Sequence, residues 1–322
     1  MNPTTPRKVK IAFTSCARYE AFPDQPHWRD IENADPDYLF LLGDQIYMDF
    51  GYWPFDSERN GAPKRYPADK FERIMKEKYE RQWNEPNFKR LFDKMQAKNA
   101  VYGVWDDHDF AWNNARGSEV PPEIRRISRD CFHRKMNCST NHPEVYCHID
   151  IPGARVIFLD NRYYASKASL LGAEQFEFLA DKLNHSQKYT FICAGLTLTH
   201  SLDNWTRYRG DYNKLCALIE KKKHVVFLAG DIHRNAFAPP SADRNCYEIV
   251  SSGMAINYFG LPFRFDDRRN WGLLEFDEDE ILVSLNRKNR SDDYRIDGHT
   301  WEYEKLRNGD AWKYFNFHDW SI

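Results

Sequence analysis

The chain alternates short apolar runs with segments in which apolar residues recur at helical spacing. Short runs of β-branched and aromatic residues bounded by turn residues predict strands, whereas a spacing of three or four predicts amphipathic helices. The predicted strands are residues 9–16, 38–43, 101–105, 145–151, 154–160, 190–198, 224–229, 246–251, 271–276 and 280–285. The predicted helices are residues 28–33, 69–99 with a break at 85–86, 123–135, 172–183 and 211–222.

The order of these elements predicts the class of fold. Strands alternate with helices over the first 235 residues, and a run of strands follows. This order favours a layered α/β arrangement with mixed sheets. The sequence shows no internal repeat, no low-complexity tract and no linker long enough to separate domains, so we expect one domain over residues 1–322.

Asp, His, Tyr and Cys residues cluster at the ends of predicted strands that lie far apart in the sequence. The clusters are Ser15-Cys16, Gly43-Asp44-Gln45-Ile46-Tyr47, Trp105-Asp106-Asp107-His108-Asp109 and Gly230-Asp231-Ile232-His233. In open α/β sheets, ligands bind beyond the carboxyl ends of the strands. The pattern therefore predicts a centre with more than one metal ion at one rim of a sheet.

The chemistry of the first two clusters favours a transition metal. Asp44 follows a buried strand and a glycine, and its two carboxylate oxygens can each bind one cation. Tyr47 can reach the same place, and a phenolate ligand requires a strongly Lewis-acidic ion such as ferric iron, because its free pKa is about 10. A thiolate from Cys16 suits a transition metal better than magnesium or calcium. A single cysteine is more often a buried thiol without a ligand role, but its companions favour ligation.

Four ionisable residues stand together in the third cluster, between two bulky apolar side chains. We interpret Asp107 as a metal ligand and His108 as a general acid or a contact to phosphate. The alternative is a solvated acidic turn, which the flanking apolar residues disfavour. Asn114 follows at loop distance and can add a neutral oxygen ligand, although asparagine is common in turns.

In the fourth cluster, alternation along an extended segment would place Asp231 and His233 on one side, where both can bind the same pair of ions. A histidine alone at a strand end is more often structural than a ligand. The aspartate two residues earlier makes ligation the better interpretation.

Charge and composition narrow the choice of function class and of cellular location. The 46 basic and 48 acidic residues give a net charge of -2, which removes the basic surplus typical of nucleic-acid binding. Residues 1–10 lack an apolar stretch of signal-peptide length, and no later stretch is long enough to span a membrane. The seven cysteines form no CxxC pair and are expected to be reduced thiols. We therefore expect a cytoplasmic location.

The ordered set of motifs resembles the alkaline phosphatase D (PhoD-like) family of metallophosphoesterases. The four clusters above are joined in that resemblance by Leu159-Asp160-Asn161-Arg162, Leu171-Gly172-Ala173-Glu174-Gln175 and Ser251-Ser252-Gly253. The resemblance implies a four-layer α/β sandwich of two mixed sheets flanked by helices. It also implies hydrolysis of phosphate esters by a metal-bound hydroxide, with ferric iron and calcium as cofactors and Mn²⁺, Zn²⁺ or Mg²⁺ as substitutes.

The resemblance also assigns roles to individual residues. The iron-like ion would be held by Cys16, Asp44, Tyr47 and His233, and the calcium-like ion by Asp44, Asp107 and Asp231. His108 remains the candidate general acid or phosphate contact on the reasoning from the residues given above. Arg162 can bind a phosphate oxygen through two donors, or it can form a structural ion pair with Asp160.

The chain departs from the family pattern in three respects. It looks like a short form without an export signal or an amino-terminal β-domain, and it carries Phe-Ala-Trp-Asn-Asn-Ala-Arg at residues 110–116, where relatives commonly have glycine and an acidic residue. It reads Thr197-Leu198-Thr199-His200 where relatives often supply another ligand, so His200 is a candidate ligand of uncertain role.

Several functions remain open at this stage. A phosphodiesterase or phospholipase D-like enzyme of the same family is the nearest alternative, and a metal-binding relative without turnover is another. The tryptophans that might stack on a substrate are better interpreted as core residues; they are Trp28, Trp53, Trp112, Trp205 and Trp271. The sequence does not predict an oligomeric state.

Overall fold

Two mixed β-sheets form the framework of the protein in the computed structural model, which describes residues 7–50, 62–136, 143–256 and 269–307. The first sheet contains, in spatial order, β13 (Tyr303–Arg307), β12 (Arg290–Asp297), β11 (Glu280–Arg287), β10 (Asn270–Phe276), β1 (Val9–Thr14), β2 (Tyr38–Leu42) and β3 (Val101–Val104). The second contains β4 (Cys147–Ile151), β5 (Ala154–Leu159), β6 (Tyr189–Ala194), β7 (Val225–Ala229), β9 (Tyr247–Ser251) and β8 (Asn235–Ala238).

Helices cover the outer faces of the sheets. The helices are α1 (His27–Ala34), α2 (Ala68–Trp83), α3 (Pro86–Gln96), α4 (Asp107–Phe110), α5 (Pro122–Met136), α6 (Gly172–Lys182) and α7 (Arg209–Ile219). Within the described ranges, none of them is both long and apolar enough to cross a lipid bilayer.

Alternating side chains of the strands build the layers. Along β5, Phe158 packs into the core shared with the first sheet, where it meets Phe40 at 5.1 Å. Its neighbour Ile157 packs into a second core with Leu179 of α6 and Leu215 of α7. Because successive side chains of a strand point to opposite faces, a strand buried on both faces is apolar throughout. The predicted four-layer sandwich is therefore confirmed.

Parallel strands bring distant loops to one rim of each sheet. The first sheet runs β1, β2 and β3 in parallel, with β10 antiparallel to β1. The second runs β5, β6, β7 and β9 in parallel, with β4 and β8 antiparallel at its two edges. The segments after β1, β2, β3, β5, β6 and β7 hold all of the candidate metal ligands and catalytic residues that the sequence singles out.

The strand boundaries correct the predictions near these loops. β1 ends at Thr14 rather than residue 16, and β6 ends at Ala194 rather than residue 198. In both places the residues that follow the strand remain buried, although they are no longer part of it. The sequence also failed to predict β8, β12 and β13. β8 is only four residues long and partly exposed, and β12 and β13 are largely polar and partly or fully exposed.

The predicted core tryptophans are confirmed where the structure describes them. Trp28, Trp112, Trp205 and Trp271 are all buried, whereas Trp53 lies outside the described residues. The six described cysteines are free thiols, as expected.

Candidate metal centre

Left-handed backbone conformations concentrate at the strand ends that carry candidate ligands. The φ angle is +59° at Cys16, +56° at Asp44, +72° at Asp231 and +54° at His233. Residues other than glycine seldom adopt positive φ, and such strain is typical of functional sites. The segment with Asp231 and His233 is therefore not extended, so the alternation argument was wrong, although both side chains reach the same centre.

Three groups of candidate ligands share Asp44. In each group, one ligand atom per residue lies within 4.8 Å of the others. The groups are Cys16 with Asp44 and His233; Asp44 with Asp107 and His108; and Asp44 with Asp106, Asp107 and Asp231. We call the four aspartates of the last group the acidic cluster. Six side chains thus converge on the carboxylate of Asp44.

One oxygen of Asp44 lies among the softer ligands. Its Oδ2 is 3.5 Å from the sulfur of Cys16 and 3.3 Å from the hydroxyl of Tyr47. The Tyr47 hydroxyl lies 3.4 Å from Nε2 of His233. The other oxygen of Asp44, Oδ1, accepts a hydrogen bond from the backbone N–H of His108 at 3.4 Å. The two oxygens therefore meet different neighbours, as a bridging carboxylate requires.

Burial raises the pKa values of Asp44, Cys16 and Tyr47, because little positive charge lies nearby to stabilise their deprotonated forms. Burial raises the pKa of Asp44 well above its ordinary value, and Asp107 and Asp106 add to the effect against an opposing contribution from His108. Burial and Asp44 likewise raise the pKa values of Cys16 and Tyr47. A bound cation would reverse these shifts, because it stabilises the deprotonated ligands.

Two buried oxygens of the acidic cluster have no hydrogen-bond partner among the described residues. They are Oδ2 of Asp106 and Oδ1 of Asp107. Asp107 differs from its neighbours: burial alone would raise its pKa, but His108 and Arg162 hold it below the ordinary value. Buried carboxylate oxygens without donors are costly unless a cation binds them. The donors present thus fit a soft site and an oxygen-rich site joined at Asp44.

Close packing of glycines fixes the position of Asp106. A Cβ atom on Gly43 would lie 2.5 Å from the Cβ of Asp106, and one on Gly195 would lie 2.6 Å from its Cγ. Gly43 follows β2 and Gly195 follows β6, so Asp106 sits where the rims of the two sheets meet. The sequence did not single out Asp106 as a ligand, since an Asp-Asp pair does not show which member faces the centre.

His108 is held by a carboxylate that sequence analysis missed. Its Nδ1 lies 2.6 Å from Oδ1 of the fully buried Asp49, and its ring stacks on Tyr47 with centroids 4.3 Å apart. Burial opposes the charged ring, but Asp49, Asp107 and Asp44 together raise the pKa of His108 well above its ordinary value. Asp49 follows no predicted strand, so no spacing signal indicated it.

Arg162 forms buried ion pairs, and its side-chain partners differ from the one predicted. Its Nε donates to Oδ1 of Asp106 at 2.5 Å and its Nη1 to Oδ2 of Asp203 at 3.3 Å. Asp160 instead accepts from the backbone N–H of Arg162 and from Nε1 of Trp105. Of the two alternatives for Arg162, the structural ion pair with Asp160 is therefore not formed. Only 1% of the Arg162 side chain is exposed.

The two remaining candidate ligands lie in different surroundings. The backbone N–H of Asn114 donates to Oδ2 of Asp107, and its side chain is exposed. His200 lies with its Nε2 3.9 Å from Oε2 of Glu248. That carboxylate accepts hydrogen bonds from Leu198, Thr199 and Arg244, and we call these four residues the Glu248 cluster. The metal-ligand roles of Asn114 and His200 stay predictions.

Comparison with solved structures places this fold among metallophosphoesterases. PhoD itself superposes with a TM-score of 0.72 at 16% identity, covering 96% of this chain and 73% of that one. A purple acid phosphatase, PPD1 from yellow lupin (Lupinus luteus) seeds, gives a TM-score of 0.55 at 14% identity, covering 88% and 52% of the two chains. A dimetal phosphatase from Danio rerio gives a TM-score of 0.52 at 12% identity, covering 89% and 98%.

The class defined by the fold and the ligand groups is that of the metallophosphoesterases. The family model of the PhoD-like phosphatases matches residues 11–260. The chain belongs to the PhoD-like phosphatase family. No curated protein sequence matches it. Membership of this family supports metal-dependent hydrolysis of phosphoesters.

Proposed function

We propose that the protein hydrolyses phosphate esters with an iron-like ion held by Cys16, Asp44, Tyr47 and His233 and a calcium-like ion held by Asp44, Asp107 and Asp231. The observation that carries the proposal is the arrangement around Asp44. Thiol and phenol groups lie near one oxygen of Asp44, and three further carboxylates belong to a ligand group that includes this residue. Such unlike donors suit two unlike cations.

When bound, the ions would polarise the phosphoryl group and lower the pKa of water to about 7. The protein residues then position the reactants. The contact with Asp49 occupies Nδ1 of His108 and leaves Nε2 to protonate the departing alkoxide. Arg162 neutralises Asp106 and fixes it against the rim. Its own ion pairs favour this positioning role over a direct contact with the phosphate.

Metal analysis combined with turnover tests the proposal. Purified protein should contain iron and calcium, or take them up, and should then hydrolyse nitrophenyl phosphate. Comparison of the monoester with the bis(nitrophenyl) diester would distinguish a phosphomonoesterase from a phosphodiesterase or phospholipase D-like enzyme. Bound metal without turnover of either ester would favour the metal-binding relative. A protein that neither binds metal nor hydrolyses the esters after both ions are supplied would sink the proposal.

The substitution Asp44→Ala tests the bridge itself. Because Asp44 belongs to every ligand group, we expect the variant to lose bound metal and activity together. Asp35→Ala is a matched control, since Asp35 also has a positive φ, +46°, but lies exposed at the end of α1 and pairs with Lys94. Full activity in Asp44→Ala would show that the ligand assignment is wrong.

A further inference from the structure

Four side chains from three loops line a cavity of about 270 Å³. They are Arg116, Lys167, Arg207 and Tyr208. Arg116 lies beyond α4, Lys167 beyond β5, and Arg207 with Tyr208 beyond β6. These loops follow the carboxyl ends of parallel strands, as do the loops that carry the candidate metal ligands. The cavity therefore belongs to the same rim as the metal centre.

A chain of ion pairs joins this cavity to the acidic cluster. Arg207 lies 3.6 Å from Asp203, which contacts Arg162, and Arg162 in turn contacts Asp106. With the bond lengths across these groups included, Nη1 of Arg207 is within about 14 Å of Oδ1 of Asp106. A small organic molecule can span that separation.

Several cationic donors in the cavity are free. Lys167 has neither a hydrogen bond nor an ion pair from its amine within the described part of the chain. Arg116 uses Nε for the hydroxyl of Tyr208 at 2.8 Å and Nη1 for Glu119 at 3.1 Å, which leaves Nη2. Arg207 engages Leu202 and Asp203 through Nη1 alone. Three positive side chains thus retain donors that an anion can accept.

We propose that this cavity binds a second phosphate group, carried by the alcohol part of the phosphoester substrate. The inference rests on the proposed function and names the substrate class of the same site. Planar guanidinium groups match the oxygens of a phosphate, and Lys167 adds a mobile point charge. The hydroxyl of Tyr208 fixes one guanidinium in advance, which lowers the entropic cost of binding.

Three esters of matched length test the proposal. They are pentane-1,5-diol monophosphate, 5-carboxypentyl phosphate and pentane-1,5-diol bisphosphate. We expect kcat/KM for the bisphosphate to exceed that for the monophosphate by about tenfold or more, because one charged hydrogen bond is worth about 1.5 kcal/mol. Lys167→Ala and Arg207→Gln should lower that ratio towards one. Lys221→Ala, which removes an exposed lysine beyond α7, should leave the ratio unchanged.

The outcomes separate this inference from the proposed function. Equal kcat/KM values for the monophosphate and the bisphosphate would overturn the inference and leave the hydrolase standing. A carboxylate that serves as well as the second phosphate would overturn the phosphate assignment. If no ester is hydrolysed, calorimetric titration with pentane-1,5-diyl bisphosphonate measures binding directly. About tenfold weaker binding to Lys167→Ala than to the native protein would support phosphate binding in the cavity. Equal binding would overturn it.

Discussion

The buried carboxylate of Glu248 and the buried carboxylates of the acidic cluster differ in the partners that the protein gives them. Glu248 is fully buried, yet it accepts hydrogen bonds from the backbone of Leu198 at 2.6 Å and of Thr199 at 3.2 Å. It also accepts from the hydroxyl of Thr199 at 2.6 Å and from Arg244 at 2.7 Å. The protein itself thus supplies what this carboxylate needs.

The acidic cluster has fewer such donors, and Oδ2 of Asp106 and Oδ1 of Asp107 have none among the described residues. One buried arginine, Arg162, lies beside the four carboxylates. Of these four it forms an ion pair with Asp106. Burial and the other aspartates raise the pKa of Asp231 well above its ordinary value. The comparison shows that burial of an acidic residue does not by itself indicate a metal site. The useful signal is burial together with missing protein donors.

The largest expected effect on stability comes from Glu248→Ala. The substitution leaves Arg244 buried without its carboxylate, and loss of one partner of a buried pair costs about 3–5 kcal/mol. We expect the free energy of unfolding in urea to fall by that amount, with metal bound per folded molecule unchanged. Glu248→Gln keeps an acceptor for Leu198 and should lose less. A control is Glu220→Ala, at an exposed position. Metal loss in folded Glu248→Gln would contradict the structural role.

The second prediction concerns protein stripped of metal. Burial raises the pKa of Asp106 to about 6 and that of Asp109 to about 8. Between pH 4 and 8, roughly, the folded state then holds more protons than the unfolded state, so the free energy of unfolding falls as pH rises. We expect a loss of at least about 1.4 kcal/mol across that window, the equivalent of one pKa unit.

Metal-loaded protein should show the opposite trend. Its ligands must lose protons to bind the ions, so metal stabilises the fold more as pH rises. Urea unfolding of the two forms at several pH values measures both trends. Identical pH dependence with and without metal would mean that the acidic cluster is not where the ions bind.

The fold was largely predictable from sequence, because most strands at the centre of the sheets are apolar on both faces. Ile157 in β5 is typical, since it packs into one core while its neighbour Phe158 packs into the other, with Phe40 of β2. β12 and β13 carry mostly charged or exposed residues. They are strands because β12 pairs with β11 and β13 pairs with β12. The pattern of apolar and polar residues within a segment does not predict pairing with a distant strand.

The candidate site was predictable where a candidate ligand follows an apolar strand, as at Cys16, Asp44 and Asp107. Asp49 was missed because its role depends on a contact 59 positions away, with His108. The partner of Arg162 was misjudged for the same reason. Asp160 is near in sequence, but its Oδ1 accepts hydrogen bonds from two backbone N–H groups and from Trp105 instead of the Arg162 side chain.

Asp49→Asn is the third prediction and tests how the centre holds His108. In the native protein the Asp49 carboxylate accepts a hydrogen bond from Nδ1–H of His108. An asparagine replaces that carboxylate with a neutral amide, so the imidazole loses its preferred tautomer and orientation. We expect kcat to fall by about 10- to 100-fold with KM and metal content nearly unchanged. The matched control is Asp30→Asn, which alters another His–Asp pair, with His27 on α1 at 2.9 Å. Equal losses in both variants would contradict a specific role for Asp49.

The smallest effect on stability is expected for His200→Gln. This variant tests whether the Glu248 cluster is separate from the metal centre. Burial lowers the pKa of His200, so the ring is neutral near pH 7 and its 3.9 Å approach to Glu248 is not a strong ion pair. We expect the free energy of unfolding to change by less than about 1 kcal/mol, with the full complement of metal. Loss of one bound ion in this variant would instead make His200 a ligand, and the Glu248 cluster would then belong to the metal centre.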